Sequence, residues 1–274
     1  MKPTAIVTGA SSGIGAEYAR AFARRGKHDL WLVARRLDRL ETLKAELQKI
    51  QADAGHSGCS VETIGCDLGS PSARAELCRR LSDLENIEFL VNNAGFGSYT
   101  SLLDSDVARE LEMIHVNCDA PLELCRAALP RMVRNKRGRI INVCSTAAFL
   151  PIPYMSTYCG TKALLLNLSL ALGAEVRKHG VTVLAHCPGP TVSEFHAAAG
   201  LKQKLRHIPA MATDVVVSQA LAASEAGKSV LINGLRNRVL VAASRIVPLG
   251  LTAWAVERKL RADMARISAE RDAR

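Results

Sequence analysis

Aromatic residues make up only 4% of the 274-residue chain, which leaves little to stack nucleic-acid bases along a groove. The eight cysteines, at 59, 66, 78, 118, 125, 144, 159 and 187, contain no C-x-x-C pair, and no histidine sits in H-E-x-x-H spacing. The common zinc patterns are thereby excluded: the cysteines read as small reduced core residues, His115, His186 and His196 gain no ligand role, and no metal is expected. Long apolar runs are missing near the C-terminus, where the 11 uncharged residues between Arg245 and Glu257 fall well short of the ~20 that cross a bilayer. Met1-Lys2-Pro3 leads straight into the apolar Thr4–Thr8 without a basic and then hydrophobic leader, so a cytoplasmic location is expected.

What is present is an ordinary globular composition, 48% hydrophobic and 23% charged, with no low-complexity tract. Net charge is +10, and half of it collects beyond residue 235, where nine Lys/Arg face four Asp/Glu. Without a nucleic-acid motif, the basic excess points first to an anionic cofactor.

Short β-branched runs at Thr4–Thr8, Leu30–Ala34, Val61–Cys66, Phe89–Val91, Arg139–Cys144, Val181–His186 and Ser229–Ile232 read as strands. Helical patterns at Ile14–Arg25, Arg39–Ala52, Ala73–Leu84, about Ser105 to Arg134, and Thr157–Lys178 alternate with them. Gly26, Gly138 and Gly180 fall where helices end and φ is often positive. The alternation predicts an α/β fold, a doubly wound Rossmann-type parallel sheet of about seven strands in a three-layer sandwich forming a single domain. Residues 1–235 are expected to form its main part, with a loop at 190–212, and residues 236–274 a basic helical extension.

The first strand runs into Gly9-Ala10-Ser11-Ser12-Gly13-Ile14-Gly15 and then a helix. There glycine permits close approach of a pyrophosphate, and the helix N-terminus attracts it. NAD-binding folds place a carboxylate about 20 residues later; here the second strand ends in Ala34-Arg35-Arg36, with no carboxylate until Asp38. Arg35, seconded by Arg36, suits a ribose 2′-phosphate, so NADPH is expected over NADH. Tyr158 and Lys162 share one helix face four residues apart, a spacing with a chemical purpose: a lysine ammonium favours phenolate, and a free tyrosine titrates near pH ~10. Ser145 stands at the carboxyl end of a strand, where open α/β sheets bind ligands.

The G-x-x-x-G-x-G loop, Asn92-Asn93-Ala94-Gly95 and Tyr158-Cys159-Gly160-Thr161-Lys162 appear in the order found in classical short-chain dehydrogenases/reductases. The chain resembles that family over roughly residues 1–235. The resemblance implies a catalytic tetrad of Asn117, Ser145, Tyr158 and Lys162. It also implies an adenine contact at Asp67 and Leu68, support of the sheet centre and ribose by Asn93, Ala94 and Gly95, and a nicotinamide-side loop at Pro188-Gly189. In that loop either Thr191 or Ser193 bonds the carboxamide. A homodimer or homotetramer joined through the long helix and the Tyr158 helix follows from the same resemblance.

The expected activity is hydride transfer between NADPH and a ketone or alcohol. Phe96, Phe149, Leu150, Ile152, Met155, Phe195, Leu201 and Met211 flank the chemical motifs and favour an apolar acyl, steroid-like or aromatic ketone. The alternative is a dinucleotide-responsive regulator or scaffold that keeps the fold without turnover. In the tail, Ala253, Val256, Leu260, Met264 and Ile267 form one helical stripe over residues 248–268, with Trp254 near its start. This helix is expected to pack on protein, at the active-site entrance or an oligomer interface, ahead of an anionic membrane surface.

Overall fold

Residues that alternate along each strand face opposite sides of a sheet, and here each side has its own core. In β1 (Thr4–Thr8), Ala5 and Val7 join one apolar cluster with Tyr18, Phe22, Leu40 and Val217, while Ile6 joins another with Leu77, Leu124 and Met132. The structure is a computed structural model that describes residues 2–56, 58–192, 210–244 and 246–272, with side chains as far as Arg261.

The remaining strands are β2 (Asp29–Ala34), β3 (Val61–Gly65), β4 (Ile87–Asn92), β5 (Gly138–Val143), β6 (Val181–Cys187) and β7 (Val230–Ile232). All pair in parallel, in the order β3-β2-β1-β4-β5-β6-β7. Helices α1 (Gly13–Arg25), α2 (Leu37–Asp53) and α7 (Thr213–Glu225) supply the first core. Helices α3 (Pro71–Asp83) and α5 (Ala120–Arg134) supply the second. Helices α4 (Val107–Ile114) and α6 (Ser156–Val176) pack against each other, and α8 (Leu235–Ser244) and α9 (Leu249–Asp272) close the chain. The seven-stranded, doubly wound α/β sandwich matches the expectation from sequence.

Three local expectations change. The long helix is divided: a wide π-turn at His115–Asp119 separates α4 from α5, with Ala120 N–H donating to His115 O. The sequence reading does not include helix α7, because the exposed apolar residues Val215 and Ala222 blur the single face on which Val216, Val217, Ala220, Leu221 and Ala223 are buried. Gly138 does not carry a positive φ; the turn is made by Lys136 at φ 49, and Gly138 is small because a Cβ would meet the Met132 side chain. Among the described residues one helical stretch, Ser156–His179, is long and apolar enough by composition to cross a membrane. Its Tyr158, Lys162, Leu165, Leu166 and Ser169 are buried and it packs on β6, which makes it a core helix.

Candidate active site

The strand order reverses between β1 and β4, and the crevice at their carboxyl ends is where such sheets bind ligands. Gly9 leaves β1 with φ +64, and a Cβ on it would come within 2.8 Å of the Ala94 Cα. Gly15 has less room still, since a Cβ would collide with the Gly9 carbonyl. Thr8, which sequence reasoning missed, ties the two loops together. Its Oγ1 accepts from the N–H groups of Asn93 and Ala94, both at 3.0 Å, while Asn93 Nδ2 donates to Thr8 O at 2.9 Å.

Ser12 is extended and its side chain does not cap α1. Instead Arg36 Nη2 donates to the hydroxyls of Ser11 and Ser12 at 3.0 and 3.1 Å, which holds a guanidinium beside the glycine loop. Arg35 is drawn the other way, to Glu112 Oε1 at 3.0 Å. Both arginines border the same cleft, so the pair flanks it with Arg36 anchored and Arg35 exposed. Asp67 lines the cleft with Leu68 and turns its own loop, since Oδ1 accepts from Gly69 N–H at 3.0 Å.

At the other end of the cleft the four tetrad residues assemble. Ser145 Oγ accepts from Ala147 N–H at 3.1 Å and is hydrogen-bonded to the Tyr158 hydroxyl. One turn along α6, the Lys162 ammonium donates to Val143 O at 2.8 Å and lies 5.8 Å from the Tyr158 ring centroid. Asn117 is fully buried in the π-turn, where Oδ1 accepts from Phe96 N–H at 3.2 Å and Nδ2 donates to Phe96 O and Thr161 Oγ1, both at 3.0 Å. Gly95 lets this cluster close, because a Cβ there would be 2.8 Å from Asn117 Oδ1. Thr161, also missed from sequence, completes the brace by donating to Tyr158 O at 2.8 Å.

Electrostatics alter one expectation. The Lys162 ammonium was expected to favour the Tyr158 phenolate, yet burial pushes the phenol's pKa well above the usual tyrosine value, opposed by the Ser145 hydrogen bond. Burial also lowers the Lys162 ammonium. In the chain on its own, Tyr158 is therefore a protonated donor at neutral pH. The eight cysteines are unpaired, and burial pushes the thiols of Cys66 and Cys118 up to about 11 and Cys125 to about 12, so these are inert core groups.

The cleft has a volume of about 540 Å³ and runs unbroken from Arg36 to Tyr158, Pro188, Gly189 and Thr191. Thr191 Oγ1 donates to Gly189 O at 3.0 Å. Ser193, Phe195 and Leu201 lie outside the described residues. Of the expected apolar residues, Phe96, Ile152 and Met155 line the wall, joined by Tyr99, which the sequence reading missed. Phe149 packs instead with Cys144 and Leu165, and Met211 pairs with Thr191 in a short bridge. A cradle that only glycine fits, a helix start left uncapped by its serine and guanidinium groups at one end suit a dinucleotide of this length and charge.

A family model described as short chain dehydrogenase matches residues 3–204. The chain belongs to the short-chain dehydrogenase family. Among curated relatives, a very-long-chain 3-oxoacyl-CoA reductase from Phaeosphaeria nodorum is 32% identical over 182 residues, covering 65% of this chain and 52% of the relative. Its counterpart from Schizosaccharomyces pombe is 36% identical over 191 residues, covering 65% and 53%. The chain thus spans about half the length of these curated relatives. Among solved structures, a short-chain dehydrogenase from Sphingobium yanoikuyae in complex with NADPH is 36% identical, with a TM-score of 0.79 over 89% of this chain and 94% of that one. A bulky-bulky ketone specific alcohol dehydrogenase from Comamonas testosteroni is 32% identical, with a TM-score of 0.76 over 89% and 92%.

Proposed function

We propose that this short-chain dehydrogenase is an NADPH-dependent reductase of apolar ketones, reversible toward the alcohols. The observation that carries the reading is the meeting of Ser145, Tyr158 and Lys162 in one cleft with a wall of Phe96, Tyr99, Ile152 and Met155. When bound, the nicotinamide supplies the hydride. The chain does the rest. The hydroxyls of Ser145 and Tyr158 converge where a carbonyl oxygen would sit, and they stabilise negative charge as it develops there. The Tyr158 proton passes to that oxygen. Lys162, fixed on Val143 O, steadies the phenolate left behind. Apolar walls exclude water and favour a bulky acyl, steroid-like or aromatic substrate over a small charged hydroxy acid. Relatives named for 3-oxoacyl-CoA and for bulky ketones support this class.

The test is a carbonyl panel followed by NADPH oxidation. Turnover of bulky apolar ketones is the expected result; turnover confined to small charged hydroxy acids overturns the substrate class. A cytoplasmic location belongs to the same proposal.

Cofactor choice follows from the two arginines. The double substitution Arg35→Ala with Arg36→Ala is expected to lower the NADPH-to-NADH ratio of kcat/KM about tenfold or more, since each charge-assisted hydrogen bond contributes ~1.5–3 kcal/mol. An unchanged ratio removes the preference for NADPH.

A homodimer or homotetramer is part of the same reading. Leu111 and Ile114 on α4, Leu122 on α5 and Leu164 on α6 are exposed by 37–52%, which leaves apolar surface on the helices named from sequence. Sedimentation at micromolar concentration is expected to show the oligomer, and Leu111→Asp with Leu164→Asp to shift it toward monomer.

A further inference from the structure

The last two helices present an apolar surface that the fold does not use. Leu235 and Val239 on α8, Ile246 in the link, and Leu249, Leu251 and Trp254 at the start of α9 are exposed by 54–86%. These helices are nonetheless seated on the site. Asn237 of α8 packs so closely on Gly189 that a Cβ there would clash, and Tyr154, beside the apolar wall, donates its hydroxyl to Glu257 of α9 at 3.0 Å. The inner face of α9, with Ala253, Val256, Glu257 and Leu260 half-buried, agrees with part of the stripe read from sequence. Leu251, Trp254 and Arg258 lie on the other face.

Charge decides what suits that outer face. Between Leu235 and Arg261 the sequence carries six arginines and lysines against one carboxylate, Glu257, and that carboxylate is already paired with Arg261 and Tyr154. A second copy would set this excess against itself, because a twofold contact pairs a patch with its own image. A partner must be both apolar and anionic. Arg258 stacks its guanidinium 5.0 Å from the Trp254 ring centroid, so an aromatic body and a cationic head stand side by side, an arrangement suited to the boundary between acyl chains and headgroups.

We propose that the outer face of α8 and α9 docks this protein on an anionic lipid surface, with the mouth of the cleft beside the bilayer. The inference rests on the exposed face and its charge, and stands independently of the carbonyl chemistry proposed above.

The test uses the full chain and vesicles of phosphatidylcholine with or without phosphatidylglycerol. The chain has two tryptophans, and Trp31 is half-buried with Arg80 stacked on it, so in a Trp31→Phe background only Trp254 emits. The expected result is co-sedimentation with the anionic vesicles and a shift of Trp254 emission to shorter wavelength. Arg236→Glu with Lys259→Glu is expected to reduce partitioning about tenfold or more, each basic residue near the surface contributing ~1 kcal/mol. Ile246→Glu tests the apolar part at a position 86% exposed, so folding is not at stake. Protein that stays in the supernatant with anionic vesicles at low salt overturns the proposal, as does sedimentation without a shift of Trp254. A lipid-free oligomer that Ile246→Glu converts to monomer assigns the face to a second copy and likewise overturns it.

Discussion

Replacing Tyr158 with phenylalanine is expected to reduce ketone turnover between about a hundredfold and ten-thousandfold, the range for loss of a positioned general acid. The fold should survive, because the ring stays in its cluster with Met113, Ala147 and Met155 and the lost hydroxyl is bonded to Ser145, itself a site residue. NADPH affinity should change little, since the phosphate-binding elements lie at the opposite end of the cleft. The wild-type pH profile offers a second check. Burial raises the pKa of the phenol, so Tyr158 holds its proton at pH 7 and can donate it in reduction. Oxidation needs the phenolate, and its kcat is expected to climb between pH 7 and the alkaline limit of stability while reduction does not. Equal turnover in wild type and Tyr158→Phe, measured by NADPH oxidation in stopped assays, would remove Tyr158 from the mechanism.

Legibility followed the range of the signal. The glycine loop, Tyr158 with Lys162, and the seven strands depend on neighbours a few residues apart, and each was readable in place. Other roles exist only after folding. Asn142 is one residue within an apolar run, yet in the sheet it accepts from Asn92 and donates to Ser169, both at 2.8 Å, and so joins β4 and β5 to α6 through a buried polar chain. His186 similarly bridges Tyr18 and Asn233, with Nδ1 and Nε2 at 2.9 and 2.8 Å from their oxygens; burial lowers it to about 4, leaving a neutral structural ring. These partners are 47 to 168 residues away from His186, so no local pattern points to them. The two arginines show a finer limit. Spacing made Arg35 the first candidate for the ribose phosphate, whereas the fold anchors Arg36 on the glycine loop and turns Arg35 toward a carboxylate 77 residues distant. A sequence motif can identify the adjacent pair, but the hydrogen bonds that divide their tasks come from α4 and from the turn before α1.

The largest expected stability effect lies at the opposite end of the strands from the chemistry. Glu88, near the start of β4, is a buried carboxylate that meets His28 Nε2 at 3.1 Å, Arg137 Nη2 at 2.7 Å and Arg139 Nη1 at 2.9 Å. Burial pushes its pKa up, but the hydrogen bonds from His28 and Arg137 and their charges outweigh it, and the carboxyl is lowered to about 2 from its ordinary 4.5. A depressed carboxyl pKa means that the folded state prefers the ionised form. The stability it contributes is therefore complete above the unfolded value near 4.5 and is lost as pH falls from there toward 2. By linkage this amounts to about 3 kcal/mol at neutral pH. Glu88→Gln keeps the shape and removes the charge. It is expected to lower Tm at pH 7 by roughly 5–10 °C and to flatten the decline of Tm between pH 5 and pH 3. Activity per folded molecule should be retained, because Asn92 and Asn93, at the other end of the same strand, keep their partners. Calorimetric melts of the two proteins across that pH range decide the matter: parallel Tm curves would show that Glu88 contributes no pH-linked stability. A loss of turnover in the folded variant would mean that β4 transmits the change to the cleft.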